Sequence, residues 1–245
     1  MALTLLQIMQ TVTAELALPS PTVVIASNDD QMKQLLALSN REGREQISLA
    51  GGWPQFRGEQ LITLVNGQAA YNFPADFDSY MPATIWDRDQ RWPINGPLSA
   101  QEWQYVKSGI INTQPWFRYR VMDGQIFFDP TPDSTTAGHT VVIEYQSNAW
   151  CQSAGGAAQS AWAADTDTFK LNDDIMVLGI KWRFLAAKRL DYSEEKKAWA
   201  DCVDREQARA YVGKSLPINA RALGDYNFLG DGYSQVTDGN WPGRV

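Results

Sequence analysis

Hydrophobic positions along this chain repeat at two periods, and the period changes twice. Near the start, Leu5, Ile8, Val12 and Leu16 recur at helical spacing until "LPSPT" stops them. Ser27 and Asn28 then offer N-caps to a second helix that closes near Ala50. Met32, Leu35, Leu36, Ser39, Gly43 and Ile47 share one face of that helix. A glycine inside a helix costs about 1 kcal/mol relative to alanine, so Gly43 is expected to admit a neighbouring helix.

From Trp53 the pattern alternates. "EQLITLV", the Asn66-Gly67 dipeptide and "QAAYNF" together predict a tight hairpin, and "WFRYRV" and "QIFFD" around Asp123-Gly124 predict another. "HTVVIEYQS" supplies a further strand, and Ser99 with Glu102 forms a capping box for one short helix between the hairpins. After Asp165 the helical period returns. Ile175, Leu178, Trp182 and Leu185 form one stripe, capped by Asn172 or Asp173, and a last helix starts near Ser193 with Trp199, Cys202 and Val203 inward and Asp201 spaced to pair with Arg205. Gly179, like Gly43, points to close crossing of the two helical hairpins.

The predicted class is therefore α+β. Residues 1–52 and 171–213 are expected to form a four-helix bundle from the N- and C-terminal helical hairpins. Residues 53–170 form an inserted, mainly antiparallel β domain with one short helix, and residues 214–245 an extended C-terminal arm. That arm, rich in Gly and Asp, also holds Tyr226, Phe228, Leu229, Tyr233 and Trp241, which are too apolar for a purely solvated tail and read as anchors for a partner's pockets.

Composition narrows the function. With 44% hydrophobic residues the 245-residue chain can build a real core, and neither a membrane span nor a signal peptide is predicted. The net charge is -7, with twelve acids against seven bases over residues 53–170, which disfavours retention on nucleic acid by a basic field. Cys151, placed in a polar loop, and Cys202, placed on a helix, make no disulfide framework and suit a reducing compartment.

Candidate chemistry is sparse. His139 is the single histidine, without a nucleophile motif, and is expected to have no catalytic role; multi-histidine metal sites are excluded. No phosphate loop appears, "DYNFLGD" fails as a calcium loop at Leu229 and Val236, and no cofactor is expected. Asp76 with Asp78, and Asp87 with Asp89, are the pairs that would serve a glycosidase, but solvated turns are the commoner setting. In "FRYR", Phe117 and Tyr119 face inward while Arg118 and Arg120 make a small wet stripe. Trp182 and Trp199 read as core. Trp86, Trp92, Trp116 and Trp150 lie near turns, where an exposed ring is expected to touch a partner protein. Arg88 and Arg91 join Trp86 and Trp92 as a possible contact with a tail protein or a neighbouring subunit.

Five stretches carry a resemblance: "LTLLQIMQTVTAELALPSPTVV", "NDDQMKQLLALSNREGREQ", "NGQAAYNFPADFDSYMPATIWDRDQRWPINGPLSAQEWQ", "RYRVMDGQIFFDPTP" and "LNDDIMVLGIKWRFLAAKRLDYSEEKKAW". In their order and spacing, roughly over residues 3 to 200, the chain resembles the head-to-tail adaptor (connector) proteins of tailed bacteriophages, of the tail tubular protein A type. The resemblance implies a structural virion protein without catalysis, made in the host cytoplasm and placed in the virion neck below the portal vertex. It further implies a ring homo-oligomer, usually a dodecamer, that binds the portal protein, extends the channel for passing double-stranded DNA without reading its sequence, and docks tail nozzle or tail tube proteins. A virion-associated polysaccharide or peptidoglycan hydrolase and a carbohydrate-binding module are the alternatives from other classes.

Overall fold

The computed structural model describes residues 2–49, 52–81, 83–109 and 117–210; the arm anchors Tyr226, Phe228, Leu229, Tyr233 and Trp241, like Trp116, lie outside the described residues. The class is α+β, with antiparallel sheets and five α-helices among the described residues.

α1 (Leu5–Glu15) begins at a capping box in which the Thr4 side chain accepts from the Gln7 N–H and Gln7 accepts from the Thr4 N–H. α2 (Asp30–Ser48) is capped by Asp29, not by Ser27 or Asn28: its carboxylate accepts from the Gln31 N–H, while the Ser27 hydroxyl accepts from the Asp29 N–H one step earlier. α4 (Asp173–Ala187) is capped by Asn172 and α5 spans Ser193–Ala210. α4 touches α1, α2 and α5. This position explains why the predicted stripe on α4 is too narrow: Ile175, Met176, Val177, Ile180 and Phe184 are buried around it, whereas Leu178, Trp182 and Leu185 are only half-buried. Asp165 binds the α1–α2 connection, its carboxylate accepting from the Val24 and Ile25 N–H groups at 3.1 and 2.8 Å.

The two helix glycines admit different neighbours. A Cβ on Gly179 would lie 2.4 Å from the Glu42 carboxyl carbon, so α2 and α4 do approach closely there. A Cβ on Gly43 would lie 2.2 Å from the Trp150 indole, so Gly43 makes room for a side chain and not for a helix. Trp150 is itself a correction: the ring expected near a turn is fully buried, 4.9 Å from Trp162 edge-on, with its N–H donated to the Ser160 carbonyl. Trp53, Phe56, Trp150, Trp162 and Phe169 share one core with the helices.

A buried polar network ties these parts together. Arg183 donates from Nη1 to the Glu42 carboxylate and to the Gly179 carbonyl, and from Nη2 to Glu45 at 2.8 Å. Glu42 Oε1 accepts from the Trp199 indole at 2.9 Å and from Gln46 at 2.6 Å, and Gln46 accepts from Trp53. Burial raises the Glu42 carboxyl above its ordinary range, and Arg183, Trp199 and Gln46 pull the other way. Trp199 is thus a half-buried donor at the edge of the core. Arg205, expected to meet Asp201, lies instead beside Glu206 and Cys202.

The β segment folds into three sheets. In the largest, β8 (Thr140–Ser147) pairs along one side with β1 (Arg57–Thr63) and along the other with both β3 (Phe77–Tyr80) and β4 (Trp86–Asp87), and β4 pairs with β5 (Trp92–Pro93). The second sheet joins β2 (Ala70–Asn72), β7 (Gln125–Asp129) and β6 (Arg118–Met122). Asp123 and Gly124 both have positive φ, 51° and 69°, as the predicted β6–β7 hairpin turn requires. The Asn66-Gly67 hairpin does not form. β1 and β2 lie in different sheets, because the inner faces of those sheets cover each other with Ile62, Leu64, Val141 and Ile143 from one and Tyr71, Tyr119, Ile126 and Phe128 from the other. The turn survives as a crossover whose ends are held by the Tyr71 hydroxyl, which accepts from the Val65 N–H and donates to the Gln68 carbonyl. α3 (Ala100–Ser108) has the predicted Ser99–Glu102 capping box.

The third sheet, β9 (Cys151–Gln152) between β10 (Ala158–Gln159) and β11 (Thr168–Phe169), carries Cys151 into the helix core instead of a polar loop. Burial, then the nearby Asp167 charge, pushes the Cys151 thiol up to about 12 from 9.0, which lowers its thiolate fraction at neutral pH about a thousandfold. Burial raises the Cys202 thiol as well. Native protein is accordingly expected to resist a thiol-titrating disulfide reagent at both positions, with both reacting after addition of denaturant; rapid native labelling would contradict this.

Candidate partner interface

Strand register sorts the side chains of the large sheet by face. Ile62, Val141, Asp87 and Trp92 are successive cross-strand partners, and Ile62 and Val141 belong to the core, so this row faces inward. Leu61, Val142, Trp86 and Pro93 are the adjacent row on the outer face. Trp86 and Trp92, grouped together by sequence, therefore face opposite ways. Arg88 and Arg91 are exposed at the tip between β4 and β5, with Arg91 at positive φ.

The tip is held from beneath. The Asp87 carboxylate is almost fully buried; Oδ1 accepts from the Asp89 and Gln90 N–H groups, each at 2.9 Å, and Oδ2 is 3.1 Å from His139 Nδ1. Asp89 Oδ2 accepts from the Thr140 N–H at 2.6 Å. So Asp87 is no solvated-turn residue, and His139 has a structural partner that no local motif announces. Asp76 likewise accepts from the Ser147 and Tyr145 hydroxyls, at 2.6 and 3.0 Å. Burial, then this bond, pushes the Tyr145 hydroxyl up to about 12. Asp78 is exposed, so the members of each carboxylate pair occupy different environments. Phe117 and Tyr119 face the core, as expected.

The outer face is partly apolar and partly acidic. Leu61 is 58% exposed. In the next row Glu59 lies directly opposite Glu144, a like-charge pairing that costs stability, and Arg88 crosses the face to meet Glu59 at 2.7 Å. Nothing in the sequence marks this patch except the alternation itself.

A second exposed cluster occupies the corner between α4 and α5. Leu190 is 56% and Tyr192 39% exposed. Tyr192 lies 6.1 Å from Trp182, which lies 5.8 Å from Trp199. Arg183 stacks over both tryptophans and Lys196 over Trp182. Lys188, Arg189, Lys196 and Lys197 are exposed here. Of the acids, Asp191 is turned onto the Ser193 N–H and hydroxyl, and Glu194 and Glu195 lie in the first turn of α5, where the helix dipole favours them.

Among the described residues no group of three His, Cys, Asp or Glu side chains is placed to hold a metal ion, and no helix is long and apolar enough to cross a membrane. No curated protein matches the chain. The pattern of the SU10 adaptor protein family matches residues 3–222, from the N-terminal approach to α1 to beyond the end of α5. On that match, which covers nearly the whole chain, it belongs to the SU10 adaptor protein family, a structural family of phage adaptors.

Proposed function

We propose that this chain is the head-to-tail adaptor of a phage neck, of the tail tubular protein A type: a ring homo-oligomer, probed first as a dodecamer, that binds the portal protein, extends the DNA channel and gives tail nozzle or tail tube proteins a docking surface. The family match over residues 3–222 carries this reading. The helices at both ends of the chain form a four-helix bundle, residues 53–170 project from it, and the arm beyond Gly213 inserts Tyr226, Phe228, Leu229, Tyr233 and Trp241 into portal or neighbouring pockets. The β4–β5 tip, with Trp86, Arg88, Arg91 and Trp92, meets the tail or a neighbour. The acidic balance of the chain suits a conduit, since repelled phosphate does not hold the genome back. Assembly in the host cytoplasm precedes placement below the portal vertex, and no membrane takes part.

The test is electron microscopy of the portal ring of the same phage mixed with the full chain or with a chain cut after Gly213. Full-length protein is expected to add a ring and the cut chain to fail. A ring from both would remove the arm from docking, and a ring from neither would overturn the adaptor reading.

A further inference from the structure

We infer that the outer face of the large sheet is a socket for a second copy of this chain, and that the α4–α5 corner of that copy fills it. This rests on the ring reading above and specifies which surfaces of neighbouring subunits meet.

Two exposed patches of the described residues complement each other. The socket is a row of Leu61, Val142, Trp86 and Pro93 running across four strands. Val142 is 5% exposed and belongs to neither core; Leu61 and Pro93 are the exposed members of the row, and Trp86 is half-buried. Glu59 and Glu144 border it as facing acids; Arg88 meets Glu59, and Arg57 lies two positions before Glu59 on the same face of β1. Juxtaposed carboxylates of this kind are a cost in the isolated subunit and an asset against a basic partner. The corner carries Leu190 and Tyr192 exposed, with exposed Lys188, Arg189, Lys196 and Lys197 outnumbering Asp191, Glu194 and Glu195 in the same stretch.

Both patches also have firm backing. The socket lies on β8, which is paired along both edges, and the corner rests on the Trp182–Trp199–Arg183 stack. Surfaces held this way lose little freedom on docking. Because the two patches differ and belong to one chain, the contact is heterologous: each copy offers a corner to one neighbour and a socket to the other, the arrangement that generates rings.

Charge reversal tests this directly. Glu59→Lys with Glu144→Lys makes the socket basic; Lys196→Glu with Lys197→Glu makes the corner acidic. All four positions are exposed, and circular dichroism confirms that each variant folds. Sedimentation velocity is run on the full chain, alone and with the portal ring. Wild type is expected to self-associate, and each variant to associate roughly a hundredfold more weakly, as like charges across an interface demand. An equimolar mixture of the two variants is expected to recover association, because each altered patch then finds its complement on the other. Variants that associate like wild type, a mixture that does not recover, or a wild type that stays monomeric in both conditions would overturn the socket. Portal binding by monomeric variants would show that the adaptor reading survives such a failure, and loss of portal binding by wild type would condemn that reading separately.

Discussion

Arg183→Met is expected to lower the unfolding free energy by about 3–5 kcal/mol, a large share of the roughly 5–15 kcal/mol that a typical domain possesses. The substitution keeps the length and apolar stem of the side chain but removes the cation that Glu42 and Glu45 share. Glu42 would keep two donors, Trp199 and Gln46, in a site closed to water, and burial already disfavours its charge. The large value comes from the carboxylate left behind, not from an intrinsic strength of the ion pair. Glu42→Gln in the same chain should therefore recover much of the loss. Urea midpoints for the two single variants and the double variant, compared at equal slope, provide the check. A double variant as unstable as the sum of the two singles would refute the mechanism.

Gly43→Ala is expected to destabilise by about 1–3 kcal/mol, although the same change in an exposed helix interior stabilises by about 1 kcal/mol. The sign reverses because the added methyl would meet the Trp150 ring at 2.2 to 2.4 Å, and Trp150 cannot retreat: Trp162 and Phe169 pack against it and its N–H is committed to Ser160. Near-UV circular dichroism should change along with the urea midpoint, since an indole is displaced. Trp150→Leu in the Gly43→Ala background should relieve the clash, and a neutral Gly43→Ala would show that the ring moves freely.

Helix signals are local, and they were legible. The Ser99 cap, the periodicity of α1 and the Asp123-Gly124 turn each lie within a few residues of the element they define. The failures arose where a distant segment decided the outcome. Asn66-Gly67 does turn the chain, but β8 competes for β1 and β7 for β2, and two sheets facing each other bury more apolar surface than one flat hairpin. Gly43 announces a close approach without saying that Trp150 makes it. The Asp87–His139 and Glu42–Arg183 contacts join residues 52 and 141 positions apart, beyond any motif window. At the candidate interface, sequence found the exposed arginines of the β4–β5 tip. It did not find Leu61, Glu59 or Glu144, because only the register with β8 gathers them on one face.

The dependence of β1, β3 and β4 on β8 also has a temporal side. The nearest cross-strand pair joins Asp87 to Val141, and all three earlier strands reach the ribosome exit before the strand that unites them. At bacterial synthesis rates that interval lasts several seconds, during which β1 and β3 lack the edge they pair with and β4 has only β5. A nascent chain terminated before Thr140 has no β8 and hence none of these pairings. Order of synthesis thus leaves a product truncated before Thr140 without the platform proposed for subunit contact.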